Sequence, residues 1–235
     1  EVPAVAASHA AVQAYAALPE QLEAVGEKIA VSTDVFQAVI DTRGGTLSEL
    51  TLRKYEEQSH AAGLLETVKS VFSTPAPVQE RKPVVLLDDA SPASRYVAQT
   101  GLLNAVDSGE RVPNHLSLMG VRPGPRALED GQTTLEVAFE SQPIGGLKYI
   151  KTYVFTRGDY AIRVNHQVLN VSDKPVDAQL YLQLARHGKV AAGTMLGTNT
   201  FTGPAAYTDE KKFHKISFED IEKKKAEVPP PANNG

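Results

Sequence analysis

The sequence predicts an all-β fold, a sandwich of antiparallel sheets with short helices only near its C-terminal end. Two observations carry this. First, three segments alternate apolar and polar residues with a period of two. They are Leu135, Val137 and Phe139 within 133–140, Ile162, Val164, His166 and Val168 within 160–170, and Leu180, Leu182 and Leu184 within 178–186. Such alternation marks half-buried strands whose apolar faces must cover one another. Second, glycine- and proline-containing turn signals separate short runs rich in β-branched residues, where helical periodicity is missing.

Taken in order, residues 1–27 stand apart. The stretch from Ala4 to Ala17 is alanine-rich and is followed by Leu18-Pro19-Glu20 and Gly26. Alanine favours helix but buries little surface, so this segment reads as a tether. From Lys28 the pattern becomes β. Ile29 to Thr33, Val35 to Asp41 and Thr46 to Leu52 predict strands, the last two joined through Thr42-Arg43-Gly44-Gly45. Two adjacent glycines there suit a turn with positive φ or a close backbone approach. Leu64 to Val68 predicts a further short strand, and Ser73 to Pro83, with three prolines, an exposed loop. Val84 to Leu87 and Arg95 to Thr100 read as extended, and Gly101 to Gly131 as a long irregular segment. Arg157-Gly158-Asp159 is a hairpin turn between two strong strands. Ser172-Asp173-Lys174-Pro175 supplies turn chemistry that predicts a second hairpin, between 160–170 and 178–186.

The tail changes character again. Thr208-Asp209-Glu210 and Ser217-Phe218-Glu219-Asp220 both look like helix starts, with a hydroxyl N-cap and acids in the first turn. Phe218 and Ile221 share a face at i, i+3 spacing, and Lys223-Lys224-Lys225 sits where the helix dipole favours cations. The expected organisation is a tether over 1–27, a sandwich over 28–207, a helical segment over 208–227 and a linker over 228–235. Phe213, Phe218 and Ile221 are expected to pack a short helix onto the sandwich. Lys223, Lys224 and Lys225 read either as a solvated helix end or as a surface facing anionic lipid or an acidic partner.

Composition narrows the function. Hydrophobic residues at 42% and charged residues at 22% are ordinary for a folded globular chain of 235 residues. A net charge of −4 gives no reason to expect nucleic acid binding. The absence of cysteine excludes disulfides, thiolate metal sites and thiol nucleophiles, and the absence of tryptophan argues against a large aromatic ligand platform. No run approaches the roughly 18 apolar residues that span a bilayer, and Glu1-Val2-Pro3 has no basic n-region, so the sequence reads as starting inside something longer.

Catalytic signatures are missing: there is no nucleophile elbow, phosphate loop or His-Glu-x-x-His. The two closest of the six histidines, His166 and His187, lie 21 positions apart. His166, on an apolar strand face, reads as a satisfied core histidine. Asp88 and Asp89 point to opposite faces of a strand, and Glu136 and Glu140 read as solvated. No catalytic residue, metal site or cofactor is expected.

Three strings carry a family likeness. Thr33-Asp34 with Ile40-Asp41-Thr42-Arg43-Gly44-Gly45, the run Lys151-Thr152-Tyr153-Val154-Phe155-Thr156-Arg157-Gly158-Asp159-Tyr160-Ala161-Ile162-Arg163-Val164-Asn165, and Phe201 to Tyr207 with Asp209 to Phe213 occur in one order across 28–226. Together they resemble the large periplasmic domain of YidC-type membrane protein insertases. The resemblance implies a β-supersandwich of galactose mutarotase-like shape and a non-catalytic interaction and spacer role. It also implies an upstream transmembrane helix, a membrane-embedded insertase core downstream, and a place on the periplasmic side of the Gram-negative inner membrane. The implied partners are that core, the Sec translocon with SecDF, and nascent inner-membrane proteins. Two other readings stand beside it: a carbohydrate-binding or mutarotase-like protein sharing the fold, and an extracytoplasmic sandwich for adhesion or envelope structure. A mutarotase needs a carboxylate base and a histidine acid converging on one sugar, and no string here matches that pair.

Overall fold

The computed structural model of the chain describes residues 25–56, 82–104, 111–187, 201, 203–208 and 212–226. It divides into two compact units, Leu22–Arg186 and a second that includes His187–Gly235.

The first unit is the all-β sandwich. Its strands are β1 (Lys28–Ser32), β2 (Phe36–Asp41), β3 (Thr46–Glu56), β4 (Pro83–Leu87), β5 (Tyr96–Asn104), β6 (Met119–Val121), β7 (Thr134–Ser141), β8 (Leu147–Thr156), β9 (Ile162–Asn170) and β10 (Ala178–Arg186). One sheet runs β1-β2-β3-β5-β10, with β4 also on β3; the other runs β6-β7-β8-β9. All the pairings between these strands are antiparallel. Alternate residues of each sheet close one core. Val31, Phe36, Ala38, Ile40 and Leu102 come from the first sheet and Leu135, Val137, Phe139, Tyr149 and Phe155 from the second. The period-two pattern of β7 therefore did report its buried face.

The turns explain the register. Gly44 and Gly45, both at positive φ (70° and 54°), carry β2 into β3. Thr46 Oγ1 donates to the Arg43 carbonyl across that turn at 3.0 Å. A Cβ on Gly44 would lie 2.2 Å from the His115 carbonyl oxygen, so this turn needs glycine for space as well as for φ. Gly158 (φ 74°) turns β8 into β9 as expected, and both oxygens of the Asp34 carboxylate accept its amide at 3.0 and 3.2 Å.

The structure corrects the sequence reading in four places. The Ser172–Pro175 segment does not close a hairpin: β9 lies in one sheet and β10 pairs with β5 in the other. The turn chemistry is present, since Ser172 Oγ donates to Asn170 Oδ1 and Asn170 Nδ2 donates to the Lys174 carbonyl. However, the Val171 amide donates to the Gly146 carbonyl, which carries the chain on past the end of β9 instead of back along it. Period two identifies a strand's apolar face but not the sheet that recruits it.

The second correction concerns Leu180, Leu182 and Leu184. Their register partners are Leu102, Thr100 and Ala98, so they share the inward face, yet they are 44%, 72% and 66% exposed. Among the described residues β10 and β9 each end one side of their sheet, and burial fades towards these two strands. Third, the segment read as irregular from Gly101 contains the end of β5 and all of β6. Fourth, Thr208 ends a strand and does not cap a helix. The expected strand over Leu64–Val68, and nearly all of the alanine-rich segment, lie outside the described residues.

The second unit holds a hairpin of β11 (Ala205–Thr208) and β12 (Lys212–Lys215), then a single described helix, α1 (Phe218–Glu222). Ser217 caps α1 as expected, its Oγ accepting the Asp220 amide at 3.0 Å.

The contrast between two glycines is testable. Gly158→Ala meets nothing within 4 Å and bears only the positive-φ cost, about 1–2 kcal/mol. Gly44→Ala adds the backbone clash and should lose clearly more in urea denaturation. Equal losses would mean that the Gly44 turn is not held against His115.

Candidate functional site

Chemistry-bearing side chains gather in two places, one between the sheets and one in the second unit.

Between the sheets the centre is Lys151, which is fully buried. Strand alternation places Tyr149, Lys151, Tyr153 and Phe155 of β8 on the inward face. The Lys151 ammonium donates to the carbonyls of Gly44 (2.6 Å), Gly45 (3.2 Å) and Thr100 (3.2 Å). Three acceptors match the three N–H groups of an ammonium. Tyr153 Oη donates to the Gly45 carbonyl at 2.6 Å. Tyr149 Oη is 2.7 Å from His166 Nδ1 and 3.4 Å from Thr100 Oγ1, and the Tyr149 and His166 rings stack. On the far side of the Gly44 turn, His115 Nδ1 and the Tyr181 hydroxyl share a short hydrogen bond.

The electrostatics follow from burial. Burial pushes the Lys151 ammonium down to about 7. His115 is held down to about 4 by burial, then by Arg43, Lys151 and Arg95. Burial, followed by Lys151, also lowers His166. Tyr149 is pushed up to about 12 by burial, and Tyr153 is raised by burial and by Tyr149. The neighbouring charges that lower both histidines are cationic. His166 is half-buried on β9, not in the core, and Tyr149 is its hydrogen-bond partner. Among the described residues no cluster of His, Asp or Glu is arranged to hold a metal ion. What the network can do is fasten a turn of one sheet to a strand of the other. Glu140, read as solvated, instead forms ion pairs with Arg122 and Lys148, which hold its carboxyl below the usual range.

The sequence-selected docking residues lie in the second unit. Phe213 is on β12 and 64% exposed; it does not pack a helix. Phe218 opens α1 half-buried, and Ile221 is exposed. Lys223 pairs with Glu219, and Lys224 and Lys225 are exposed. The buried side chain of this segment is Ile216, which the helical reading passed over. Lys151 was missed too, although its place in the alternation Tyr149-Lys151-Tyr153 put it inward.

Similarity to known proteins identifies the fold. The family model described as the YidC periplasmic domain matches residues 28–71 and 75–235. The chain belongs to this family. It is 40% identical to the membrane protein insertase YidC of Cupriavidus necator over 231 residues, 98% of this chain and 36% of that protein. The YidC of Burkholderia thailandensis is 40% identical over 90% of this chain and 33% of its own length. That of Cupriavidus metallidurans is 38% identical over 100% of this chain and 37% of its own length. The chain thus spans about a third of these relatives. Among the described residues no helix is long and apolar enough to cross a membrane. Two of the three strings that resemble YidC domains meet in the fold, because Lys151 of the second binds the Gly44 and Gly45 carbonyls of the first.

The pH dependence of stability reads the network directly. The unfolded Lys151 titrates near 10.4 and the folded one near 7. Its contribution is therefore fully present above about 10.4 and lost as pH falls towards 7. Between pH 7 and 10 the wild type should gain stability, at up to about 1.4 kcal/mol per pH unit. Lys151→Met should remove that slope. A slope that persists in the variant would place the titrating group elsewhere. His115, lowered to about 4, should likewise cost stability as pH falls from about 6.5 towards 4.

Proposed function

We propose that this chain is the non-catalytic interaction and spacer domain of a YidC-type insertase. In this reading flanking transmembrane helices tether it on the periplasmic side of the inner membrane. It serves the insertion and folding of nascent inner-membrane proteins beside the Sec translocon and SecDF. The observation that carries the reading is the family match over 28–71 and 75–235 in a chain that covers only 36% of an insertase relative. That leaves most of such a protein for the membrane core. The interior network supports a structural role, since its polar groups are spent on carbonyls and on one another. A carbohydrate-handling reading finds no such support.

The second unit is the proposed junction to the membrane core. It carries Phe213, Phe218 and Ile221 with Lys223, Lys224 and Lys225, and a helix of five residues that would be marginal alone in water. Among the described residues the buried side chain of this unit is Ile216, and burying one such side chain contributes roughly 1.5–3 kcal/mol.

Full-length insertase carrying this domain should complement a depletion strain, and Phe218→Asp with Ile221→Asp should impair growth and client insertion although the protein accumulates. Normal complementation by the double variant would make the segment a passive linker. The isolated chain, reconstituted in liposomes with a small client, should give no insertion above background. It should also leave the mutarotation rate of fresh α-glucose unchanged, and an acceleration proportional to its concentration would overturn the non-catalytic reading.

A further inference from the structure

We propose that the aromatic face of the β11–β12 hairpin is a docking surface for an anionic lipid bilayer. Tyr207 and Phe213 are register partners, so their side chains share one face, and they are 67% and 64% exposed. Two cations interleave with the rings. The Lys215 ammonium lies 5.1 Å from the Phe201 ring centre and 5.9 Å from that of Phe213, and the Lys212 ammonium lies 5.9 Å from that of Tyr207. Phe201 is itself 37% exposed. Among the described residues neither Lys212 nor Lys215 is in an ion pair.

The composition matches a bilayer interface. Aromatic rings favour the headgroup level, and lysine keeps an apolar stem against them while its ammonium stays at the charged surface. Anionic headgroups attract such cations by about 1 kcal/mol each. Lys223, Lys224 and Lys225, which the sequence alone pointed to, are less suited. They come directly after a short helix that carries Glu219, Asp220 and Glu222, and Lys223 is paired with Glu219. Three lysines stand against two acids, Asp209 and Glu210, over 205–215, and against three over 218–225, so the cationic excess is on the hairpin. An acidic protein could meet the same two lysines, but it would have no need of three rings on the face. The inference rests on the reading that the domain works beside a membrane.

The chain has no tryptophan, so Phe213→Trp is a single fluorescent reporter. The purified chain is titrated with phosphatidylcholine vesicles with and without phosphatidylglycerol. Emission should shift to the blue, with partitioning roughly 30-fold stronger on the anionic vesicles, the value for two lysines at about 1 kcal/mol each. High salt and Lys212→Gln with Lys215→Gln should bring it down to the phosphatidylcholine level. Replacing Lys223, Lys224 and Lys225 with Gln should leave it nearly unchanged. No shift with either vesicle, equal partitioning on both, or loss only in the triple variant would overturn the assignment. A shift with an acidic peptide but not with vesicles would also overturn it, in favour of a protein partner. If vesicle binding fails while Phe218→Asp with Ile221→Asp still impairs insertion, the junction reading stands and only the lipid surface falls.

Discussion

A buried lysine amino group held by three backbone carbonyls joins the two sheets. The Gly44–Gly45 turn, with both residues at positive φ, presents its carbonyls to the inward face of β8. There Lys151 and Tyr153 supply donors, and Lys151 also reaches the Thr100 carbonyl of β5. One side chain thus ties two places in the first sheet to the middle of the second. A buried charge carries a large desolvation cost and is tolerated only where its hydrogen bonds are complete. Among the described residues no buried side-chain polar atom lacks a partner. The core around it can then be ordinary: Phe36, Ile40, Phe139 and Phe155 fill the space that the clamp defines.

Much of this was legible in the sequence. The alternation in β7, the glycine pair at 44–45 and the Arg157-Gly158-Asp159 turn each act through local geometry, and the structure keeps them where the pattern put them. The pairing of β9 and β10 was not legible, because a turn-forming segment and two alternating strands fit either a hairpin or a crossover. Thr208-Asp209-Glu210 has the residues of a helix N-terminus, but Thr208 is the last residue of β11 and pairs with Lys212 of β12. Lys151 was legible in principle. Its inward position conflicted with the expectation that a lysine is solvated, and of the three carbonyls that resolve the conflict two lie more than a hundred residues away in sequence and the third 51.

The same geometry separates the functional roles. Burial is deep around Lys151 and fades towards β9 and β10, where Leu180, Leu182 and Leu184 share an inward face without being covered in the way Leu102 is. Polar groups inside the sandwich are engaged with backbone and with each other, leaving chemistry that can meet a partner to the surface. In the second unit Ile216 supplies the buried anchor, while Tyr207, Phe213 and Ile221 remain outside. A YidC periplasmic domain built this way keeps the polar groups of its interior engaged, and the surface proposed above for contact lies in a segment of few residues. That division suits a module whose larger relatives hold most of their length elsewhere.

The most direct measurement is a double-mutant cycle between Lys151→Met and Tyr153→Phe, read by urea denaturation at one pH. Both side chains converge on the Gly45 carbonyl. Either single variant leaves that oxygen one donor, whereas the double variant leaves it none. The double variant should therefore lose more than the sum of the single losses, by about 0.5–3 kcal/mol. Additive losses would contradict the account, because they would show that the two side chains do not act on the turn as one clamp.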